Sequence, residues 1–383
     1  MQFVFQTVPC VHMEWGASKH IAKICSDKFN EKNILIVTDA GIRKAGILQS
    51  AIQSLEDNTF NVHIFDGVSA DPSETILLEC VDFAKKAEID CVLGVGGGSS
   101  LDVAKLVAVL LKGDQELSGI YGIGNVKGDR TPLVLVPTTA GTGSEVTNIS
   151  IITTGATTKM GVVAHQLYAD IVILDAQLTI GLPKIHTAAT GIDAMVHAIE
   201  AYTSRHKKNP LSDALAREAL RLLCGSLIKA CRDGEDQSAR ENMLLGATLA
   251  GQAFANSPVG AVHALAYPLG GHYHVPHGIS NALMLEPVLR FNFDHAYRLY
   301  AELGEAVGLE KKQDIREQAT DFIEFIVSLL ERSGAPRCLR DVHVAEDMLP
   351  VLAKDAMKQT RLLQNNPVDV SENDALKLYE QVF

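Results

Sequence analysis

The sequence has no excess of positive charge. Its 34 lysines and arginines stand against 46 aspartates and glutamates, which gives a net charge of -12. Phosphate backbones and anionic lipid headgroups would repel such a chain, so we expect neither a nucleic acid nor a membrane surface as a partner. Apolar residues make up 47% of the 383 residues and charged residues 21%. This balance excludes an intrinsically disordered chain and predicts two or three globular domains.

Paired cysteines are lacking as well. The seven cysteines are an odd number and contain no C-x-x-C pair, unlike those of a disulfide-stabilised secreted domain. No lysine or arginine precedes Lys19, and no long apolar run lies near the N-terminus, so neither a secretory nor a transit signal is recognisable. We therefore expect reduced thiols and a cytoplasmic protein. Internal repeats and low-complexity tracts are also missing.

Long uncharged stretches are few. The stretch 243–271 is long enough to span a bilayer, but it contains Gln252, Asn256, His263 and two prolines. Polar side chains of this kind are unfavourable in hydrocarbon. We interpret the stretch as a buried helix beside a polar site.

The sequence changes its pattern near residue 183. From 33 to about 180, short β-branched apolar runs alternate with segments that carry apolar residues at helical spacing, which is typical of a parallel sheet with crossover helices. After Pro183 the strand-like runs stop. The pattern predicts an α/β domain over 1–183, Rossmann-like with a parallel sheet, and an all-helical domain over 184–383. Within the first domain, 149–164 has the pattern of a β-hairpin insertion.

A glycine-rich turn follows one of the predicted strands. The turn contains Gly96, Gly97, Gly98 and Ser99. Glycines let the backbone approach a pyrophosphate, and the helix that follows presents free N–H groups and the positive end of its dipole. The pattern favours dinucleotide binding, although its spacing differs from G-x-G-x-x-G and an ordinary tight turn explains it equally well.

Other polar residues lie at or soon after strand ends. Asp39 ends a predicted strand, where it could bind a ribose 2'-hydroxyl and disfavour NADP, although aspartates are common in turns. Thr138 and Thr139 lie in a hydroxyl-rich loop and could hydrogen-bond the same cofactor. Asp102 and Lys105 follow the glycine turn at helical spacing, and a solvated charge pair explains them as well as a ligand contact does.

Metal-ligand spacing occurs in the helical half. Asp193 and His197 are four residues apart and share a helix face, a spacing that more often indicates a buried hydrogen bond than a metal site. His263 and His277 add two imidazoles in glycine-rich surroundings. One carboxylate and three imidazoles suit Fe(II), Zn(II) and other divalent ions. Glu200 lies on the same face, where a solvated carboxylate is one interpretation. Two further histidines are alternative ligands, His272 and His274.

Four segments together resemble the iron-containing (group III) alcohol dehydrogenases. They are GGGSSLDVAK, PTTAGTGSEVT, GIDAMVHAIEAY and HALAYPLGGHYHVPHG, in this order along the chain. The resemblance covers most of the chain and is weakest toward the C-terminus. It implies a dinucleotide-binding domain that faces an all-helical domain, with a metal ion in the cleft between them.

The resemblance also implies roles for individual residues. The implied metal ligands are Asp193, His197, His263 and His277. The implied cofactor contacts are Asp39, Asp71, Gly98, Ser99, Thr138, Thr139, Thr147, Lys159, Leu178 and Gly181, and the glycine turn adds Gly97. One position departs from the family: where many members have a histidine proposed to relay a proton, this chain has Tyr267. The proton would then leave through water, His272 or His274.

The implied function is a reversible hydride transfer between a primary alcohol or aldehyde and NAD, assisted by Fe(II), Zn(II) or another divalent ion. A homodimer or larger homo-oligomer is implied too. Two related activities are alternatives, a lyase similar to dehydroquinate synthase and a polyol dehydrogenase of the glycerol type. A nucleotide-binding protein with a purely structural metal is a third interpretation.

Overall fold

A computed structural model describes residues 2–113, 115–155 and 158–383. The chain divides into two compact units. One contains Thr7–Thr139 and Ser144–Gly181, and the other contains Leu182–Phe383 together with Ala140–Gly143 and the N-terminal residues through Gln6.

The first unit is built on two sheets. Its strands are β1 (Val11–Met13), β2 (Asn33–Asp39), β3 (Asn61–Val68), β4 (Cys91–Gly96), β5 (Gly122–Ile123), β6 (Leu133–Pro137), β7 (Ile149–Thr154), β8 (Thr158–Val163) and β9 (Ile171–Leu174). Six of them form a parallel sheet in the order β1-β9-β6-β4-β2-β3. Five of these six lie between 33 and 180, where the sequence predicts strands, whereas β1, a three-residue strand at the edge, precedes that range and was missed.

The parallel strands are apolar along their whole length because both faces are covered. Every residue of β4, β6 and β9 is buried, as expected for a sheet with helices on its two sides. The helices of this unit are α1 (Ile21–Ser26), α2 (Ala40–Lys44), α3 (Gln49–Asp57), α4 (Glu74–Lys86), α5 (Gly98–Lys112) and α6 (Leu117–Ile120). At Gly94 a Cβ would lie 2.8 Å from the Cβ of Ala104, so glycine lets α5 pack closely on β4.

The predicted β-hairpin is confirmed. β7 pairs antiparallel with β8 from Ile149 opposite Val163 to Thr154 opposite Thr158. The two-residue strand β5 extends this second sheet beside β8, a pairing that the sequence did not predict.

The second unit is helical from Lys184 onward. Its helices are α7 (Lys184–Thr203), α8 (Pro210–Arg232), α9 (Gln237–Asn256), α10 (Ala261–Tyr273), α11 (His277–Ala306), α12 (Ile315–Ser333), α13 (Leu349–Ala356), α14 (Thr360–Leu363) and α15 (Glu372–Gln381). Short 3-10 helices cover Leu339–Val342 and Glu346–Met348. The prediction of an α/β unit with a parallel sheet followed by an all-helical region is confirmed.

The apolar surface of α7 lies at the centre of the second unit. This helix packs against α8, α9 and α11, and nearly all of its residues from Thr187 to Thr203 are buried. The apolar stripe of α12 is buried as well, at Phe322, Ile326, Leu329 and Leu330. A helix buried on all sides gives its few polar residues a dry environment, which is where the site described below is found.

The sequence pattern predicts one buried helix over the uncharged stretch 243–271. The structure instead divides the stretch between two helices. α9 ends at Asn256, and α10 begins at Ala261. The break follows from Pro258, because the residue before a proline is driven out of the helical region, and Ser257 has φ -137° and ψ 87°. Within the described residues, none of the helices combines the length and the apolar composition that crossing a bilayer requires.

Candidate metal centre and cofactor site

The predicted metal ligands Asp193, His197, His263 and His277 converge. One ligand atom from each lies within 4.8 Å of the other three. α7 carries the aspartate and the first histidine four residues apart, α10 carries His263 in its first turn, and α11 begins at His277. Three helices of one unit therefore position the whole set.

The aspartate lies at the middle of the cluster. Its Oδ1 is 4.0 Å from Nε2 of His197, 3.9 Å from Nε2 of His263 and 3.6 Å from Nε2 of His277. The first two imidazoles are buried, whereas the side chain of His277 is 33% exposed. The cluster is therefore shielded from solvent at two of its imidazoles and partly exposed at His277.

The electrostatics of the cluster favour a cation. Burial raises the pKa of Asp193, but the three neighbouring imidazoles and a hydrogen bond from Asn281 outweigh it and lower the pKa below its ordinary value. Burial lowers the pKa of His197 to about 3, so this imidazole is neutral and keeps a lone pair for a metal. A buried ionised carboxylate needs a compensating charge. The donor set thus fits a divalent ion such as iron.

Two polar residues support the ligands, and neither was predicted in this role. Asn281 donates from Nδ2 to Oδ1 of Asp193 at 2.5 Å. Glu200, which the sequence left open as a solvated carboxylate, is buried and lies 2.6 Å from Nδ1 of His263. The sequence feature that could have predicted the role of Asn281 is its position four residues after His277, which places both side chains on one face of a helix.

The alternative ligands lie outside the cluster. His272 interacts through Nε2 with Oδ2 of Asp355 at 2.7 Å, and His274 ends α10 with a left-handed backbone. Among the described residues, neither belongs to the group whose ligand atoms converge. The ring of Tyr267 is 5.8 Å from the ring of His277, so the residue that replaces the relay histidine lies beside the partly exposed imidazole.

The glycine turn forms the start of α5. Gly97 is the N-cap residue, no side chain caps the helix, and Gly98 and Ser99 lie in its first turn. The first N–H groups of a helix have no partner within it and suit a phosphate. Gly96 has φ 154°, and a Cβ there would lie 2.7 Å from Oγ of Ser100, so glycine is required at this position.

Two predicted cofactor residues border this turn. Asp39 caps α2, since its Oδ1 accepts from the N–H of Ile42 at 2.9 Å. Its other oxygen lies 3.8 Å from the position of a Cβ on Gly96, so Asp39 caps a helix with one oxygen while the second lies near the glycine turn. Thr139 lies beside Gly97, with its Oγ1 3.7 Å from the Cβ position.

Thr138 has an unsatisfied hydroxyl. Its Oγ1 is buried and has no hydrogen-bond partner among the described residues. Buried polar atoms of this kind are rare unless a ligand or water completes them. The observation fits a bound dinucleotide next to this loop.

The remaining cofactor candidates lie in different surroundings. Asp71 has φ 50° and forms an ion pair with Lys159 at 2.6 Å. Leu178 is partly buried and packs against the apolar core of the first unit, whereas Gly181 is exposed. Thr147 is buried, and its Oγ1 accepts from Nζ of Lys105 at 3.1 Å.

The interpretation of Asp102 and Lys105 as a solvated pair is wrong. Lys105 is fully buried, and its Nζ donates to Oγ of Ser144, Oγ1 of Thr147 and the carbonyl of Ile149. Asp102 accepts from the hydroxyl of Ser144 at 2.5 Å and from the N–H of Ile151 at 2.8 Å. The two charges connect α5 to the loop before β7.

Comparison with known families decides the identity of the chain. The family described as iron-containing alcohol dehydrogenase matches residues 9–176, and the family described as the C-terminal part of Fe-containing alcohol dehydrogenases matches residues 187–383. The chain belongs to the iron-containing alcohol dehydrogenase family. The resemblance found in the sequence motifs is therefore confirmed, and the match extends to the C-terminal residue.

Individual members of the iron-containing alcohol dehydrogenases agree in fold and differ in substrate. Long-chain-alcohol dehydrogenase 1 of Geobacillus thermodenitrificans is 39% identical over 98% of this chain and 95% of its own. A 1,3-propanediol oxidoreductase structure has TM-score 0.96 and 34% identity over 100% of both chains. A sulfoacetaldehyde reductase of Bifidobacterium kashiwanohense, solved in complex with NAD+, has TM-score 0.89 and 27% identity over 100% of this chain and 99% of its own.

These relatives confirm the prediction of an oxidoreductase of the alcohol dehydrogenase class. They do not favour the alternative of a lyase similar to dehydroquinate synthase.

Proposed function

We propose that this iron-containing alcohol dehydrogenase interconverts a primary alcohol and its aldehyde with NAD as the hydride carrier. Residues 1–183 bind the dinucleotide and residues 184–383 hold the metal ion in this proposal. Asp193, His197, His263 and His277 are the proposed ligands of Fe(II), with Zn(II) as an alternative ion. The convergence of one carboxylate and three imidazoles carries the proposal.

In the proposed mechanism, the residues of the cluster have two roles: some attract the metal ion, and others control where substrate and water can reach it. When bound, the divalent ion supplies Lewis-acid stabilisation of the negative charge that develops on the substrate oxygen. Asp193 contributes the negative charge that attracts the ion, and the buried imidazoles keep water away from one side. His277 borders the exposed side, where the substrate enters. A divalent ion lowers the pKa of a bound water to about 7, and this stabilisation of the deprotonated form is far larger than one hydrogen bond supplies.

The cofactor contacts are proposed around the start of α5. The N–H groups of Gly98 and Ser99 receive the pyrophosphate, and Gly97 and Thr139 border it. Asp39 turns its free oxygen toward a ribose, which favours NAD over NADP. The unsatisfied hydroxyl of Thr138 supports a cofactor contact there. Further proposed contacts are Asp71, Thr147, Lys159, Leu178 and Gly181.

A panel of alcohols and aldehydes tests the proposal. Full-length protein is stripped with a chelator, reloaded with Fe(II) or Zn(II), and assayed for net formation or consumption of NADH. We expect turnover with NAD, little with NADP, none after chelation, and recovery after reloading. A lyase that uses NAD transiently would give no net NADH. If the metal were purely structural, reloading with Fe(II) or Zn(II) would not restore NADH turnover. Either result would contradict the proposal.

The substrate, the assembly and the location are narrower proposals. The relatives act on long-chain alcohols, a propanediol or a sulfonated aldehyde, so the panel includes all three kinds.

We propose a homodimer or larger homo-oligomer, which light scattering on a sizing column tests. A cytoplasmic location is proposed from the seven free cysteines, and cell fractionation tests it.

A further inference from the structure

We propose that Glu200 is a positioning residue that holds His263 in the tautomer needed to bind the metal. The inference rests on the proposed metal centre and concerns a residue that touches neither substrate nor ion. Glu200 lies on α7, one turn after His197 and two turns after Asp193, and is buried. Its carboxylate bridges to α10, the helix that carries His263.

Both oxygens of Glu200 are engaged by groups of α10. Oε1 accepts from the N–H of Val262 at 2.7 Å, and Oε2 lies 2.6 Å from Nδ1 of His263. The N–H of Val262 is one of the first of its helix and has no partner within it. Gly260, the N-cap residue of α10, offers no side chain to that end. Glu200 therefore caps α10 from a neighbouring helix and orients an imidazole with the same carboxylate.

The hydrogen bonds define which nitrogen of His263 carries the proton. A backbone N–H can only donate, and an ionised carboxylate can only accept. In this proposal Nδ1 of His263 carries the hydrogen and donates it to Oε2 of Glu200. Nε2 keeps its lone pair, and it is the atom that lies 3.9 Å from Oδ1 of Asp193 inside the cluster. Carboxylates behind metal-binding histidines fix tautomer and ring orientation in this way.

Glu200→Gln is the informative substitution, because the amide keeps the size of the side chain and removes one acceptor. Its oxygen can accept from Val262 or from His263, but its NH2 group can accept from neither. If the oxygen caps α10, the NH2 group faces Nδ1 and drives the proton of the imidazole to Nε2. If the oxygen faces Nδ1, the start of α10 loses its cap. The first arrangement changes the tautomer of His263, and the second changes the position of the helix that carries it.

Ser257→Ala provides a matched control. The hydroxyl of Ser257 is fully buried and donates at 2.7 Å to the carbonyl of Ala201, the residue after Glu200. It links the same helix α7 to the segment before α10, and its contact with Ala201 does not involve a proposed ligand. A purely structural role of Glu200 predicts that both variants lose stability and metal affinity together.

The experiment measures Zn(II) affinity of the full-length chain by competition with a chromogenic chelator, alongside the melting temperature. We expect Glu200→Gln to bind Zn(II) about 10- to 100-fold more weakly than the wild type, Ser257→Ala to bind like the wild type, and Glu200→Asp to recover part of the loss. Wild-type affinity in Glu200→Gln, or an equal loss in Ser257→Ala, would overturn the role of Glu200. A wild-type chain that fails to bind Zn(II) would instead remove the proposed metal centre.

A second measurement uses the wild-type side chain at position 200 and so does not depend on the folding of a variant there. The zinc-loaded protein is labelled with 15N-histidine, and the signals of His263 are identified by their loss in His263→Gln. We expect a protonated Nδ1 and a zinc-bound Nε2. A proton on Nε2, or zinc on Nδ1, would contradict the inference.

Discussion

Burial and neighbouring side chains together set the protonation of individual residues in the proposed metal centre. The pKa of His197 is lowered to about 3 by desolvation, and that of Asp193 is lowered by its imidazole neighbours despite burial. At neutral pH neither residue has to lose a proton to bind a cation, so proton release opposes binding less than in an exposed site. The protonation of Asp193 and His197 therefore suits the binding of a cation.

His263→Ala tests the ligand set at the scale of one residue. The change removes one of three imidazoles and leaves Glu200 facing a cavity, so we expect Zn(II) affinity to fall by more than the roughly 100-fold typical of supporting residues. Turnover with NAD should fall with metal content. Metal analysis of the purified full-length variant and an NADH assay at saturating metal check the two expectations.

His272→Ala is the matched control for this loss. His272 lies on the same helix and pairs with Asp355 at 2.7 Å instead of joining the cluster. Its removal should leave the metal content and the Zn(II) affinity at the wild-type level. If His272→Ala lost metal while His263→Ala kept it, the assignment of ligands would be wrong.

At the scale of elements, α5 and the loop before β7 are joined by a buried lysine and a mostly buried aspartate. Burial lowers the pKa of Lys105 and raises that of Asp102, the directions expected when charges leave water. Nζ of Lys105 lies 3.6 Å from Oδ1 of Asp102, and the hydroxyl of Ser144 hydrogen-bonds both side chains. A buried cation of this kind positions the loop that carries the proposed cofactor contact Thr147.

Lys105→Met removes that cation and leaves Asp102 without an opposite charge beside it. Loss of one member of a buried pair typically lowers stability by about 3 to 5 kcal/mol, and we expect a change in this range. The double variant Lys105→Met with Asp102→Asn should recover a large part of it, because no unpaired charge remains. Urea unfolding of the wild type and the single and double variants measures the difference. A single variant as stable as the wild type would show that the pair is not a structural link.

The C-terminal helix supports the helix that presents His263. Tyr379 of α15 is fully buried and donates from its hydroxyl to the carbonyl of Leu265 at 2.6 Å. Tyr379→Phe leaves that carbonyl without this donor, and we expect a loss of about 1 kcal/mol. Tyr273→Phe is the control, since its hydroxyl accepts from the N–H of Ala345 at an exposed position and should matter less. Equal stability of Tyr379→Phe and the wild type in urea unfolding would contradict this support.

For the whole molecule, the periodicity of the sequence was enough to predict the two kinds of architecture, and the family resemblance of its motifs was enough to predict which four side chains converge. Outside these motifs, the sequence could not predict which side chains distant in sequence are linked. Glu200 and His263 are 63 residues apart, and Lys105 and Ile149 are 44 apart. Whether a carboxylate or an ammonium group is buried depends on which helices and loops pack around it, and no local pattern contains that information. The two interpretations as solvated charges failed for this reason.

Thiol reactivity tests the burial pattern across both units. Desolvation raises the pKa of Cys25 and Cys80 to about 12, and only the thiolate reacts with alkylating reagents. Compared with an ordinary thiol of pKa about 8.5, their thiolate population at neutral pH is lower by about 3 orders of magnitude. Cys91, Cys224 and Cys231 are also buried, whereas Cys10 is exposed and Cys338 is intermediate.

We therefore expect iodoacetamide to modify Cys10 first and Cys338 second in the native protein, with the five buried cysteines reacting only after unfolding. Mass spectrometry of peptides from timed reactions measures the order, and the same reaction in denaturant shows that every thiol is free. Early modification of Cys25 or Cys91 would mean that the parallel sheet opens under native conditions. Early modification of Cys224 or Cys231 would place the opening in α8. Because these five thiols are distributed over both units, their order of reaction locates the part of the molecule that is less stable.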